Sequence, residues 1–382
     1  MSDPQLNRYL RQTALPEIGK AGQLRLKNSK VLIVGVGGLG CTSSLYLAAA
    51  GVGHLGLIDP DKVDESNLQR QVLFKMSDIG RPKVMAARER LNEFNPDITI
   101  KTYDFTLTEK NILEVFHDFD LILDGTDNFQ AKYLINDAAA RIGLPVVYGS
   151  ISGFEAQISV FWKNHGPCYR CIYPEPPKSL IMSCAEAGVL GAVAGLAGTI
   201  QALEAVKLIL SGDSTLQALV GKLMIIDTAS MNIKSYDVPK RTDCPICSVG
   251  QESITIKAIP PQECCATTQA INLDQISAAD IKDPSTRSSF ILIDVREQAE
   301  WETGHIPGAL NVPLSQIEKG LAPVLNKSQQ ILLYCQKGIR SQHALTALRK
   351  LGFLNLKQLR SGLGEWDGEL EKGSVAALQR KC

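Results

Sequence analysis

Apolar residues in this chain gather in short unbroken runs. Lys30–Val36 is the first. The glycine cluster GVGGLG comes next, then CTSSLYLAAAG, whose composition predicts a helix, and HLGLIDP, which predicts a second strand. Further apolar runs end at Asp124 (DLILDG), Gly149 (LPVVYG) and Asp227 (KLMIID), with helical stretches between them. Strands buried on both faces need such runs. Their alternation with helices predicts an α/β fold, a Rossmann-like and mostly parallel sheet covered by helices. VGQESITIKAIPPQECCATTQ has few long apolar runs and contains Pro260 and Pro261, a composition that suits a linker. Beyond it the pattern restarts, and FILIDV and QILLYC each predict a strand followed by a helix. The expected organisation is a first unit over residues 1–250, a linker over 251–270 and a second, small α/β unit over 271–382.

Ala187–Leu203 runs 17 residues without a charge, yet it is rich in glycine, contains Gln201 and meets Glu204 and Lys207 at once. A membrane span needs about 20 apolar residues, so a buried or subunit-interface helix is expected instead. The 382 residues are 45% hydrophobic and 21% charged, enough to bury a core. Lysine plus arginine equals aspartate plus glutamate, 40 each, which gives no support for a nucleic-acid or anionic-membrane partner. The N-terminal MSDPQLNRYLRQ lacks the apolar core of a signal peptide. A cytoplasmic location is therefore expected, where thiols stay reduced. The ten cysteines then call for metal binding or catalysis.

Gly35, Gly37 and Gly40 satisfy GxGxxG between a strand and a helix, and Asp59 ends the next strand, placed to bond a ribose hydroxyl. This much suits a dinucleotide as well as ATP. The residues after Asp59 favour a triphosphate being cleaved. Asp59 opens DPDKVDESNLQRQ, which holds Asp61, Asn67 and Arg70; Lys83 comes later in GRPKV, and Asp127 and Asn128 in DGTDN. Cations neutralise phosphoryl oxygens and a carboxylate holds Mg²⁺.

The combination of RYLRQ, GVGGLG, DPDKVDESNLQRQ and DGTDN resembles the E1-like activating enzymes of the MoeB/ThiF adenylyltransferase family, over roughly residues 5–250. The resemblance implies that ATP is bound by Gly37, Gly38, Asp59, Asp61, Ser66, Asn67, Leu68, Gln69, Arg70, Lys83, Asp127 and Asn128. It also implies a homodimer in which Arg11 is supplied across the interface. Arg11, Arg70 and Lys83 are then expected to stabilise phosphate charge, with Asp127 placing Mg²⁺. The implied substrate is a ubiquitin-like sulfur-carrier protein ending in Gly-Gly.

Cys168 and Cys171 form CYRC, and Cys244 and Cys247 form CPIC. Two such pairs make a thiolate set for a structural Zn²⁺, with no position left open for substrate. In the second unit, DVREQAEWETGHIPGALNVPL, YCQKGIRS and GLGEWDG are similar to single-domain rhodanese sulfurtransferases, over roughly residues 271–382. Cys335 closes a strand and opens a loop into a helix, so backbone N–H groups and the helix dipole can act on one sulfur. Lys337 and Arg340, either side of Gly338, are expected to add positive charge that favours the thiolate or a persulfide. Asp294, Arg296 and His305 are expected to hold the framework.

In relatives of this fused type, a cysteine at the place of Cys184 has a transient covalent role with the carrier. Cys41, Cys264, Cys265 and Cys382 have no expected role. The sulfur donor is expected to be a cysteine desulfurase or thiosulfate. Three other readings remain open from the residues. They are an NAD-dependent oxidoreductase, a ubiquitin-type activator passing on a thioester, and a thiosulfate sulfurtransferase with a regulatory nucleotide domain.

Overall fold

A computed structural model of the chain describes residues 4–176, 188–212, 215–257, 275–318, 329–353, 355–360 and 362–373. The chain divides into two compact units, Met1–Gln262 and Glu263–Cys382.

The first unit is built on an eight-stranded sheet, in the order β3-β2-β1-β4-β5-β6-β7-β8. Its strands are β1 (Lys30–Val34), β2 (His54–Ile58), β3 (Thr99–Tyr103), β4 (Leu121–Asp124), β5 (Val146–Ser152), β6 (Glu155–Phe161), β7 (Lys222–Asp227) and β8 (Asn232–Asp237). β1 to β5 are mutually parallel, and β6, β7 and β8 add on antiparallel. The apolar runs of the sequence are β1, β2, β4, β5 and β7. β4 is buried at every position, as a strand covered on both faces must be. β8 is exposed at every position, so no apolar run marks it. Helices cover both faces and create two cores, one including Leu47, Leu91 and Ala197, the other Phe116, Tyr133 and Tyr148.

From Gly191 on, the uncharged segment lies in the helix Gly191–Leu210, which continues through Glu204 and Lys207. It has the length and hydropathy to cross a membrane, but it packs here as a core helix. Gly198 lets it approach the backbone of the helix Gly38–Ala50. Gln201 and Glu204 are buried and bonded, Gln201 to the carbonyls of Asp124 and Val147 and Glu204 to the amide of Leu219.

The second unit is a five-stranded, wholly parallel sheet in the order β11-β10-β12-β13-β9. Here β9 is Gln275–Ile276, β10 Ile291–Asp294, β11 Leu310–Asn311, β12 Ile331–Tyr334 and β13 Leu356–Leu359. FILIDV and QILLYC supply β10 and β12, its two central buried strands.

Candidate functional site

In the first unit the sheet order reverses between β1 and β4, and a crevice opens at such a switch point. Gly35 sits at φ +88°, a left-handed conformation, and packs against Gly125 at the end of β4. A side chain on Gly40 would strike the carbonyl of Gly35, so the third glycine lets the helix start directly behind the turn. That helix begins at Gly38, with its free amides toward the crevice.

The crevice is a cavity of about 860 Å³. Gly37, Gly38, Asp59, Asp61, Ser66, Asn67, Arg70, Lys83, Asp127 and Asn128 all line it. Leu68, Gln69 and Arg11 do not. Leu68 packs against the core, and the carbonyl of Gln69 lies under Gly191. The turn Glu65–Asn67 sends alternate groups of residues to opposite sides, so a run that is contiguous in sequence splits in space. Arg11 is exposed on the short helix Leu10–Thr13 and has no partner among the described residues. Its neighbours face inward: Tyr9 is buried against Gly51, and Gln12 bonds Gln23 and the carbonyl of Ala50. Cys184 lies outside the described residues.

Asp59 is held from three sides. Its carboxylate accepts from the amides of Val36 (2.8 Å) and Asp61 (2.9 Å), and Lys83 Nζ lies at 3.8 Å. Burial raises the Asp59 carboxyl above its ordinary range, while Lys83 and the two amides pull it back. Lys83 Nζ also bonds Asp61 Oδ2 at 2.8 Å and is itself buried. Arg70 lays its stem along Gly38 and donates to the carbonyl of Ser66 at 3.0 Å. Asn128 caps the helix Phe129–Ile142 by accepting from the amide of Ala131 at 2.8 Å. Asp127 is exposed, with no hydrogen-bond or ion-pair partner among the described residues.

Nothing in the sequence singles out Lys132 and Gln71, yet both line the cavity. Lys132 Nζ is buried and bonds Asp124 Oδ2 (3.1 Å) and the carbonyl of Gly149 (2.9 Å). It lies one helical turn beyond the cap Asn128, a spacing that could have flagged it. Gln71 is buried beside Gly37 with its amide oxygen unpartnered. Cys41, behind the glycine turn, is pushed up to about 12 by burial, so its thiol is inert.

The four cysteines of the two C-x₂-C pairs converge. Their sulfurs all lie within 4.8 Å of one another, with Cys168–Cys244 and Cys171–Cys247 both at 3.6 Å. A disulfide needs about 2 Å. Tetrahedral zinc with bonds of about 2.3 Å sets its sulfurs close to the observed spacing. The quartet packs with Ala140, Ile246 and Ile254, so a metal there would clamp the Cys244–Cys247 turn onto the body of the unit.

In the second unit Cys335 directly follows β12 and is almost fully buried. Gly338, at φ +85°, caps the helix Ile339–Lys350. The GLGEW segment is bonded to this loop: the amides of Leu363 and Gly364 donate to the carbonyls of Cys335 and Gln336 at 2.9 and 3.0 Å. A side chain on Gly362 would collide with the Cys335 carbonyl, which accounts for the glycine.

Of the two expected cations, only Lys337 is exposed without a partner among the described residues. Arg340 is closed in a two-pronged pair with Glu300, at 2.6 and 2.8 Å, so its charge reaches the sulfur already answered. Asp294 and Arg296 pair with each other, and His305 stacks on Trp301 and meets its carbonyl.

Comparison with known proteins matches the ThiF family over residues 9–246 and the rhodanese-like domain over residues 277–369. The probable adenylyltransferase/sulfurtransferase MoeZ of Mycobacterium tuberculosis is 39% identical, over 98% of this chain and 96% of its own length. Adenylyltransferase and sulfurtransferase MOCS3 of Culex quinquefasciatus is 37% identical (97% and 89%), and UBA4 of Meyerozyma guilliermondii 38% (96% and 88%). The E. coli MccB structure with ATP shares the fold of the first unit, with a TM-score of 0.56 at 24% identity, over 64% of this chain and 75% of that one. The glycine turn, the acid at the end of β2 and the cysteine loop after β12 thus stand in a chain that belongs to the ThiF family, in the group that joins adenylyltransferase and sulfurtransferase activities through a rhodanese-like domain.

Proposed function

We propose that the enzyme adenylates the C-terminal glycine of a ubiquitin-like sulfur-carrier protein and then converts it to a thiocarboxylate with sulfur carried on Cys335. The observation that carries this reading is the pairing, in one chain, of the cavity around Lys83 with the loop of Cys335. The carrier carboxylate attacks the α-phosphorus of ATP and pyrophosphate leaves. Arg70 and Lys83 offset the phosphate charge, with Arg11 from the second copy of a homodimer, and Asp59 receives the ribose. The exposed carboxylate of Asp127, without a partner among the described residues, is a suitable oxygen donor for Mg²⁺, which would screen the phosphates. The cysteine quartet would hold Zn²⁺ as a structural clamp.

Adenylation replaces a poor leaving group with AMP. The outer sulfur of a Cys335 persulfide then attacks the acyl carbon, AMP leaves, and an acyl disulfide links carrier and enzyme. A thiol attacking Cys335 Sγ releases the thiocarboxylate and becomes disulfide-bonded in its place; Cys184 is the candidate. An external dithiol then reduces that disulfide, becoming a disulfide itself, and restores both enzyme thiols. A cysteine desulfurase or thiosulfate would load Cys335. This thiol chemistry suits the reducing cytoplasm, where we place the enzyme.

Intact-mass analysis of Gly-Gly carriers incubated with enzyme, Mg-ATP and thiosulfate tests the reading. The expected product has one oxygen replaced by sulfur, and Cys335→Ala abolishes it while carrier-dependent pyrophosphate release continues. Full thiocarboxylate formation by that variant would overturn the sulfur route.

A further inference from the structure

Behind the Cys335 loop lies a chain of buried polar side chains that the proposed sulfur chemistry does not use. Ser341, in the first turn of the helix Ile339–Lys350, is fully buried, with its Oγ 3.8 Å from Cys335 Sγ. That hydroxyl also faces two oxygen acceptors, the carbonyl of Gly338 at 2.9 Å and Gln358 Oε1 at 3.2 Å. Gln358 projects from β13 and is likewise buried. Its Nε2 donates to Gln342 Oε1 at 2.5 Å, which fixes the amide with its oxygen toward Ser341.

A hydroxyl has one proton to give, and here three acceptors surround it. When Cys335 is a neutral thiol, the sulfur can donate to Ser341 Oγ while Ser341 donates onward. When the sulfur is an anion, as thiolate or persulfide, it becomes the strongest acceptor of the three, because hydrogen bonds to charged groups are roughly twice as strong as neutral ones. The Gly338 carbonyl keeps a bond from the amide of Gln342 if the hydroxyl turns away; Gln358 Oε1 has no such substitute among the described residues.

We propose that Ser341 donates a hydrogen bond to the anionic sulfur of Cys335 from the buried side of the loop, and that Gln358 competes for the same proton and so sets how far the sulfur is stabilised. Ser341 touches the reacting atom; Gln358 is a positioning residue that acts through it. The arginines of the loop and its surroundings are already closed: Arg340 with Glu300, and Arg296, which also reaches Gln336 of the loop, with Asp294. Lys337 stands on the exposed side of the loop. The remaining wall, Ile293, Val295, Ala344 and Leu345, is apolar. A single buried hydroxyl therefore has weight here. The inference rests on Cys335 as the sulfur-bearing residue, but its test reads the thiol itself and needs no carrier.

The test is the pH dependence of alkylation at Cys335, followed by peptide mass spectrometry on the full chain. Ser341→Ala is expected to raise the pH midpoint by about one unit, equivalent to about tenfold less thiolate at pH values well below the original midpoint. Ser341→Thr, which keeps the hydroxyl, is expected to restore it. Gln358→Leu is expected to move the midpoint the opposite way, downward, because the competing acceptor is gone. A packing role alone gives no such opposition of sign. An unchanged midpoint in Ser341→Ala, or shifts of the same sign in Ser341→Ala and Gln358→Leu, overturns the proposal. If Ser341→Ala does not fold, a downward shift in Gln358→Leu still supports it and its absence still overturns it. Loss of thiocarboxylate formation with the alkylation pattern intact would fault the proposed function and leave this inference standing.

Discussion

The nucleotide cavity and the cysteine loop both handle anions, yet they place charge in opposite ways. Around the cavity some charges stand open: among the described residues Asp127 has no partner and Arg70 bonds only the carbonyl of Ser66, while buried Lys83 is shared between Asp59 and Asp61. Around Cys335 the arginines are closed by Glu300 and Asp294, leaving backbone, one hydroxyl and exposed Lys337. The difference comes from the ligands. A triphosphate brings several charges, which need cations and a metal-binding carboxylate free to receive them. One sulfur anion is small, and a rigid polar pocket can hold it without a mobile cation.

The sharpest way to break this comparison is Lys83→Met. It removes the cation between two carboxylates, and carrier-dependent pyrophosphate exchange is expected to fall about a hundredfold or more. Cys335 alkylation should not change; if it did, the two sites would not be the independent devices described. Arg11 offers a second probe. Equal mixtures of Arg11→Ala and Lys83→Met chains, refolded together, should recover about a quarter of wild-type exchange, since only mixed dimers contain an intact site, and only one each. No recovery would count against an arginine borrowed across the dimer.

The cysteine quartet offers a test of the contrast between structural and reactive thiols. Cys247→Ala is expected to lose the metal by elemental analysis and to lower the melting temperature by about 5 °C or more. Unchanged metal content and melting would sink the clamp. The smallest effect is expected from Glu300→Gln, which opens the Arg340 charge. The Glu300 carboxyl is held below the ordinary carboxylate range, first by its hydrogen bonds to Arg340. The stability it adds is present above that range and is lost as pH falls through the depressed folded value. Urea unfolding of wild type and variant should therefore converge in acid and differ at neutral pH; divergence growing toward acid would contradict the pairing.

The glycine turn, Asp59 and Cys335 could be read from sequence because each sits where a buried apolar run ends, and such runs are conspicuous. β3, β6 and β8 were not read. β8 is exposed throughout, and β6 begins at exposed Glu155 and mixes polar Gln157 and Ser159 with apolar residues. Lys132 was missed because a lysine within a helix ordinarily faces water, and only the fold shows this one bonded to Asp124 at the base of the cavity.

By itself the sequence determined the two α/β units, the glycine turn, the two cysteine pairs and the cysteine that follows β12, since each depends on local spacing and on the length of apolar runs. Only the tertiary structure decided that Leu68 and Gln69 turn away from the cavity, that Arg340 is spent on Glu300, and that Ser341 and Gln358 stand behind Cys335. Those are contacts between residues distant in the chain or on opposite sides of one turn. Their partners are chosen by packing, which no run of neighbouring residues encodes.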